Sequence, residues 1–560
     1  MVRLLFLSAS LLGTHHLVKS RPQTEIYDSG GPLMSEQAAY DVSYYDLTLF
    51  VNPEDSTIQG KLRAEAEVIQ PLNWFVLDLD TVLRVSNVSQ VTADGKRVQL
   101  QYKREGGKIW IRMPELEHIG QRISVEVSYG GRPIVASADQ TQWTDGFLWT
   151  QSKSGEPWLG IVSFLDGADI WWPCKDHPSD KPDSMALHIT VPEPLTVAAN
   201  GRLRNYTRHG GADRLHTFDW FVSTPISNYS VTLNIAQYSR LDGFYRSING
   251  DIIPLTFWVM PENYSKAMRL FPQLSEHLRF LEEILGPYPF REDKYAVAQT
   301  PYLGTENQTI ISYGANFENN RYGFDTSHFH ELAHEWFANL VTAPDWQDWW
   351  LHEGVSTYLE AIYAEKLNDE TAYHEYMHDL RSRILNLHAV APRTPQRTRD
   401  IYGTDIYNKG AWVLHSLRYL VGKDVLLKAL RRLTYPNPQL EQVVDGSQCH
   451  FATTDDFQNI VEELSGQDLD WFFEIYLRQP ELPRLQKSVE GNVLYLKWDV
   501  PENIIFKMPV EVSFGTTKRQ VDMSNGTARL ELPETVEEIS LDPMKWILMG
   551  EELQTTSKVE

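Results

Sequence analysis

The chain has 560 residues, more than one ordinary domain holds, and its 42% hydrophobic and 22% charged residues are those of a folded globular protein. Lys and Arg number 51 against 75 Asp and Glu, a net charge of −24, which argues against nucleic-acid binding. Two cysteines, Cys174 and Cys449, exclude a disulfide-rich scaffold and leave open two buried thiols or one bridge.

Arg3 followed by apolar residues 4–12, with Val18 and Ser20 ahead of a cleavage point, predicts a signal peptide over residues 1–20 and a secreted or periplasmic protein. No later run reaches the ~18 apolar residues of a spanning helix, so no transmembrane anchor is expected. Six N-x-S/T sequons, at Asn87, Asn205, Asn228, Asn263, Asn307 and Asn525, are compatible with export.

Residues 21–39 are polar and read as a flexible lead-in. Residues 40–245 alternate in "YDVSYYDLTLFV" and "KIWIRM", with an Asp94-Gly95 hairpin turn, and predict an N-terminal antiparallel β domain. Over residues 246–480 helical spacing dominates. "SEHLRFLEEILGPYPF" ends at Gly286-Pro287, and Asp455 or Asp456 is placed to cap "DFQNIVEELSG". Residues 484–550 return to alternation, as in "LYLKWDV", and Asn525-Gly526 reads as a hairpin in a small C-terminal β module. The fold class is therefore multidomain α+β.

The chemistry concentrates in "SHFHELAHEWFANLVTAPDWQDWWLHEGVSTYLEAIYAEKL". His330 and His334 share one helix face, with Glu331 beside them, an H-E-x-x-H zinc motif in which the glutamate is the general base. Catalytic zinc needs a third protein ligand and one open position. Glu353, separated from His334 by 18 residues and on a second helix, supplies it. Glu360 shares the face of Glu353 and can orient a ligating histidine. His352 reads as structural. The developing oxyanion needs a donor besides the metal, for which "DIYNKGAW" and "DIYGTD" offer Tyr407 and Tyr402 among 26 tyrosines. Upstream, "TPYLGTENQTIIS" (residues 300–312) reads as a strand with Gly304, Glu306 and Asn307 at its centre.

In this order, "LGTEN", "HELAHEW" with Glu353 behind it, and "YNKGAW" resemble the M1-type zinc aminopeptidases, gluzincins that include leukotriene hydrolase and cold-active bacterial aminopeptidases. "WWPCKDHPSDKPD" (171–183) resembles a further landmark of that family. The resemblance implies a saddle-like β domain, a thermolysin-like, mainly helical catalytic domain and a small β-sandwich module, without the large helical domain of many relatives. It implies one zinc ion held by His330, His334 and Glu353. It assigns Tyr407 to transition-state stabilisation, Tyr402 to support, Glu306 to the free amino group of a peptide substrate, and Gly304, Asn307 and Gln151 to the substrate cleft. Leu303 and Thr305 depart from the family's Gly-x-Met-Glu-Asn. Lys153 falls where many relatives carry an acidic partner for the amine, with Glu156 nearby.

The expected function is a zinc aminopeptidase acting on peptides. Lys153 and Leu303 motivate an alternative, a hydrolase of the same fold with altered exopeptidase character that cleaves internally or takes a non-peptide substrate. An inactive peptide-binding scaffold is the third reading. If Asn307 lines the cleft, its sequon is not glycosylated in an active enzyme.

Overall fold

The computed structural model describes residues 29–137, 144–211, 214–501, 504–533, 538–551 and 553–554. The expected signal peptide and residues 21–28 of the lead-in lie outside them. Tyr40–Asn52 and Thr57–Val68 form the centre of an eight-stranded sheet. Their inward residues, such as Tyr45, Leu47, Leu49 and Leu62, are fully buried. The sheet is antiparallel except where Tyr40–Asn52 runs parallel to Ser184–Pro192. A three-stranded and a four-stranded sheet complete this β-rich region, whose core is largely separate from that of the helices. The Asp94-Gly95 turn forms as expected: Val91 pairs with Arg97, and Gly95 adopts φ +78°.

The strand Ser239–Arg246 opens a second, five-stranded sheet, so that sheet starts a few residues ahead of residue 246. Its edge is the two-residue strand Gly304–Thr305, paired with Ile310–Tyr313. Around it stand α1 (Tyr264–Leu285), α2 (Thr326–Ala333), α3 (Trp350–Leu367), α4 (Glu370–Arg381), α5 (Thr398–Ile401) and α6 (Thr404–Val421). Every residue of α3 from Trp350 to Ala364 is buried, as befits a helix packed on all sides. Three more helices follow: α7 (Lys423–Thr434), α8 (Thr454–Ser465) and α9 (Asp470–Leu477). The cap of α8 is Thr453, not Asp455 or Asp456; Asp456 instead completes a reciprocal capping box.

The C-terminal module consists of a four-stranded and a three-stranded sheet. Asn525-Gly526 is not a hairpin within one sheet. It joins Thr517–Val521 in one sheet to Thr527–Glu531 in the other, because the strands on its two sides pair with different neighbours. The module grips α6. The Trp546 ring stacks on His415 at 4.7 Å, and Ser416 donates to the Trp546 carbonyl at 3.0 Å. Cys174 and Cys449 are both free thiols.

Residues 29–39 are packed rather than loose. Ser29 is buried, Gly31 N donates to the Gln396 carbonyl at 3.0 Å, and Thr398 N donates to the Ser29 carbonyl at 3.1 Å. Gly30 sits at φ +82°, where a Cβ would lie 2.2 Å from Trp346 Cδ1. Gly30→Ala therefore combines backbone strain with overpacking and is expected to cost about 1–3 kcal/mol. A denaturant melt measures the loss, and limited proteolysis is expected to cut residues 29–39 faster in the variant.

Candidate active site

Asp325 caps α2, its carboxylate accepting from His328 N at 2.9 Å. The helix ends at Ala333, and the chain then bonds i→i−5, from Asn339 N to His334 O and from Leu340 N to Glu335 O. Such a widened turn is frequent at functional sites. Here it brings the Phe337 carbonyl to His334 Nδ1 at 2.9 Å. His330 Nδ1 lies 2.7 Å from Glu360 Oε1. Each Nδ1 faces an acceptor and so carries the proton, which leaves both Nε2 atoms as acceptors aimed at one point.

Those two Nε2 atoms are 3.1 Å apart, and Glu353 Oε2 lies 3.3 and 3.2 Å from them. Three lone-pair donors this close repel unless positive charge stands among them. Burial alone would lower the His330 pKa, yet hydrogen bonds to Glu353 and Glu360 hold it well above the ordinary value. His334 likewise rises against burial, through Glu353. Burial pushes Glu353 up, but the two histidines outweigh it and bring its carboxyl far below the usual range. Tetrahedral ligands at about 2.0–2.1 Å from zinc stand roughly 3.3 Å from one another, the spacing found here. Two imidazoles and a carboxylate, with the fourth direction open to the cleft, fit a catalytic zinc ion.

Glu360 is part of a longer chain. Its second oxygen accepts from the Tyr376 hydroxyl on α4, so Tyr376, Glu360 and His330 link three helices to one ligand. Sequence spacing gave no sign of Tyr376, which reaches the centre only through tertiary packing. His352 is structural: its Nε2 accepts from Ala343 N at 2.9 Å, and burial lowers it to about 3.

Tyr407 lies on α6, its ring 6.0 Å from that of His330 and nearly parallel to it. Burial raises its phenol well above 10, so it is a hydrogen-bond donor at any working pH. Tyr402 lies beside it, ring centroids 6.4 Å apart, and is also in the cleft. Tyr407 is close to the ligands because α6 crosses α3 at Gly410 and Gly354. A Cβ on either glycine would lie 2.9 Å from the other's Cα.

The cleft has a volume of about 430 Å³ and takes in His330, Glu331, His334, Glu353, Gly304 and Glu306. Glu331 is half-buried at the cleft, and desolvation pushes its carboxyl up to about 8 against His330 and His334, with Glu306 and Glu353 adding to the rise. A Cβ on Gly304 would stand 2.8 Å from Glu331 Oε1, so the glycine makes room for that carboxylate. Glu306 is buried, and its Oε1 lacks a well-formed hydrogen bond, with the Tyr229 hydroxyl standing close to the carboxylate. Asn307 does not line the cleft. It lies beneath the strand, where its Oδ1 accepts from Thr305 and Ser312 at 2.6 and 2.8 Å and its amide donates to the Ser230 carbonyl at 3.3 Å. Its sequon is thus buried for a structural reason. Glu335, which sequence reading passed over, accepts from Thr309 N at 2.7 Å and ties this segment to the end of α2.

Gln151 and Lys153 are not among the described residues that line the cleft. Both are exposed, at and just beyond the end of strand Gly146–Gln151, and Glu156 is on the same turn. The β-rich region reaches the cleft through Leu148, Val162 and Phe164 instead. Leu303 does border the cleft, 45% exposed at its mouth.

Two family models match the chain: the Peptidase M1 N-terminal domain over residues 42–229 and the Peptidase family M1 domain over residues 303–476. The chain belongs to the M1 peptidase family. Among M1 relatives, human endoplasmic reticulum aminopeptidase 1 is 22% identical over 501 residues, covering 81% of this chain and 51% of that protein. Leucine aminopeptidase 2 of Emericella nidulans is 26% identical over 482 residues, covering 78% and 74%. The M1 zinc metallopeptidase of Deinococcus radiodurans has the same fold, with a TM-score of 0.62 at 24% identity, covering 79% of this chain and 94% of that one. The chain spans about half the length of several curated M1 relatives it matches.

Two outcomes follow from the geometry. Glu360→Gln keeps the shape but weakens the hold on His330, and zinc affinity measured against a competing chelator is expected to fall about 10- to 100-fold. Gly410→Ala forces α6 away from α3 and displaces Tyr407. With misplacements near 1 Å costing about 100-fold, kcat is expected to drop by about that factor while zinc content is kept. In a Tyr407→Phe background the same change should cost little more.

Proposed function

We propose that the chain is a zinc-dependent aminopeptidase that removes single residues from peptide N-termini. The observation that carries this reading is Glu306: a buried carboxylate whose Oε1 lacks a well-formed hydrogen bond, facing the cleft beyond the metal ligands. A substrate ammonium satisfies it, and the first peptide bond then falls near His330, His334 and Glu353. The edge strand Gly304–Thr305 offers its unpaired side to the substrate backbone.

A zinc ion held by the three ligands supplies Lewis acidity and lowers the pKa of water. Glu331 takes the proton of the attacking water and returns it to the leaving nitrogen. Tyr407 donates to the oxyanion as it develops. Glu360, backed by Tyr376, keeps the His330 proton on Nδ1 and its Nε2 available. Tyr402 packs beside Tyr407 and borders the substrate.

The test uses aminoacyl chromogenic amides with free and N-acetylated amines. Free-amine substrates are expected to turn over, acetylated ones not, and a chelator should abolish activity until zinc is restored. Glu331→Gln is expected to lower kcat by about 10²–10⁴-fold and Tyr407→Phe by about 10²–10³-fold. Activity that survives metal removal would overturn the reading. Comparable turnover of acetylated substrates would favour the alternative, a hydrolase of this fold without strict need for a free amine.

A further inference from the structure

One wall of the cleft is buried and apolar. It is formed by Leu148, Val162, Phe164 and Tyr302, each at most 5% exposed. Phe164 packs against the Tyr229 ring at 6.4 Å, and Tyr229 adjoins Glu306. A peptide whose ammonium meets Glu306 therefore has this wall beside its first side chain.

The chemistry of this wall is uniform. Leu148 pairs with Gly160 and Gly146 pairs with Val162 across two antiparallel strands, so these four residues share one sheet face. That face presents two aliphatic side chains and two glycines. Phe164 is fixed by ring contacts to Trp349 at 4.9 Å and Tyr402 at 5.7 Å. Among the described lining residues, every carboxylate and imidazole belongs to Glu306 or to the metal and base cluster. A charged first side chain would lose its water here and gain no counter-charge.

We propose that the chain selects peptides whose first residue bears a large apolar side chain, with Leu148, Val162 and Phe164 as specificity-determining residues. The proposal rests on the aminopeptidase reading. It is not a property that the family supplies, because M1 relatives include both a leucine and an alanine/arginine aminopeptidase.

The experiment measures kcat/KM on free-amine Ala, Leu, Met, Phe, Arg and Glu amides, for the unaltered protein and for Val162→Asp and Phe164→Leu. Leu, Met and Phe are expected to exceed Ala by about 10- to 200-fold, the discrimination an apolar pocket supplies, and to exceed Arg and Glu by at least as much. Val162→Asp should raise Arg relative to Leu at least about tenfold, since it installs the missing counter-charge. Phe164→Leu should shift preference towards the largest rings. Arg or Glu turned over as well as Leu by the unaltered protein would overturn the proposal and leave the aminopeptidase reading standing. Turnover of none of the six would overturn that reading itself. The unaltered protein decides between these outcomes even if neither variant folds.

Discussion

The close crossing of α3 and α6 is the constraint on which the site depends. Glu353 immediately precedes Gly354, and Tyr407 lies one helical turn before Gly410. Two helices separated by ordinary side chains would keep their axes about 8–10 Å apart. With no Cβ on either side, the backbones meet, and a phenol on one helix reaches the neighbourhood of a ligand on the other. The C-terminal module reinforces this from outside through Trp546 and His415. Lys409, fully buried on the same helix, donates to the carbonyls of Gln479 and Pro480. The helix that carries Tyr407 is therefore pressed onto α3 by its glycines and fastened at its back by the module.

Electrostatics organises the rest. Glu306, Glu331, Glu353 and Glu360 all face one cleft, with two imidazoles between them. Four carboxylates in so little water are costly without compensation, which is why burial raises Glu306 and Glu331 while the histidines and Glu353 move in opposite senses. A dication among the ligands answers that cost at one point, and on the proposed reading a substrate ammonium at Glu306 answers it at a second.

How much of this was legible in the sequence depends on how local the cause was. His330, His334 and Asp325 follow from a helical period and its cap, and Glu353 from the need for a third ligand. Asp94-Gly95 turned as its residues demand. Asn525-Gly526 did not make a hairpin, because turn chemistry fixes the bend and not the partner that each strand finds. Asn307 looked like a cleft residue since it adjoins Glu306, but the backbone turns it downward to Ser230 and Ser312. Gln151 and Lys153 were placed by alignment of a short motif, and the strands run so that Leu148 and Val162 face the cleft instead. Tyr376 and Phe164 arrive from distant segments, and no local pattern could announce them.

Most of the apolar wall of the cleft comes from a different part of the chain than the metal ligands do. Leu148, Val162 and Phe164 come from the β-rich region yet join the hydrophobic core of the helical part, while the metal ligands, Glu331 and Tyr407 stand on α2, α3 and α6. Strands Gly146–Gln151 and Pro157–Val162 lie in a four-stranded sheet that carries none of the three metal ligands. Under the proposed apolar pocket, a substitution on these strands changes which substrates fit while the ligand set stays in place.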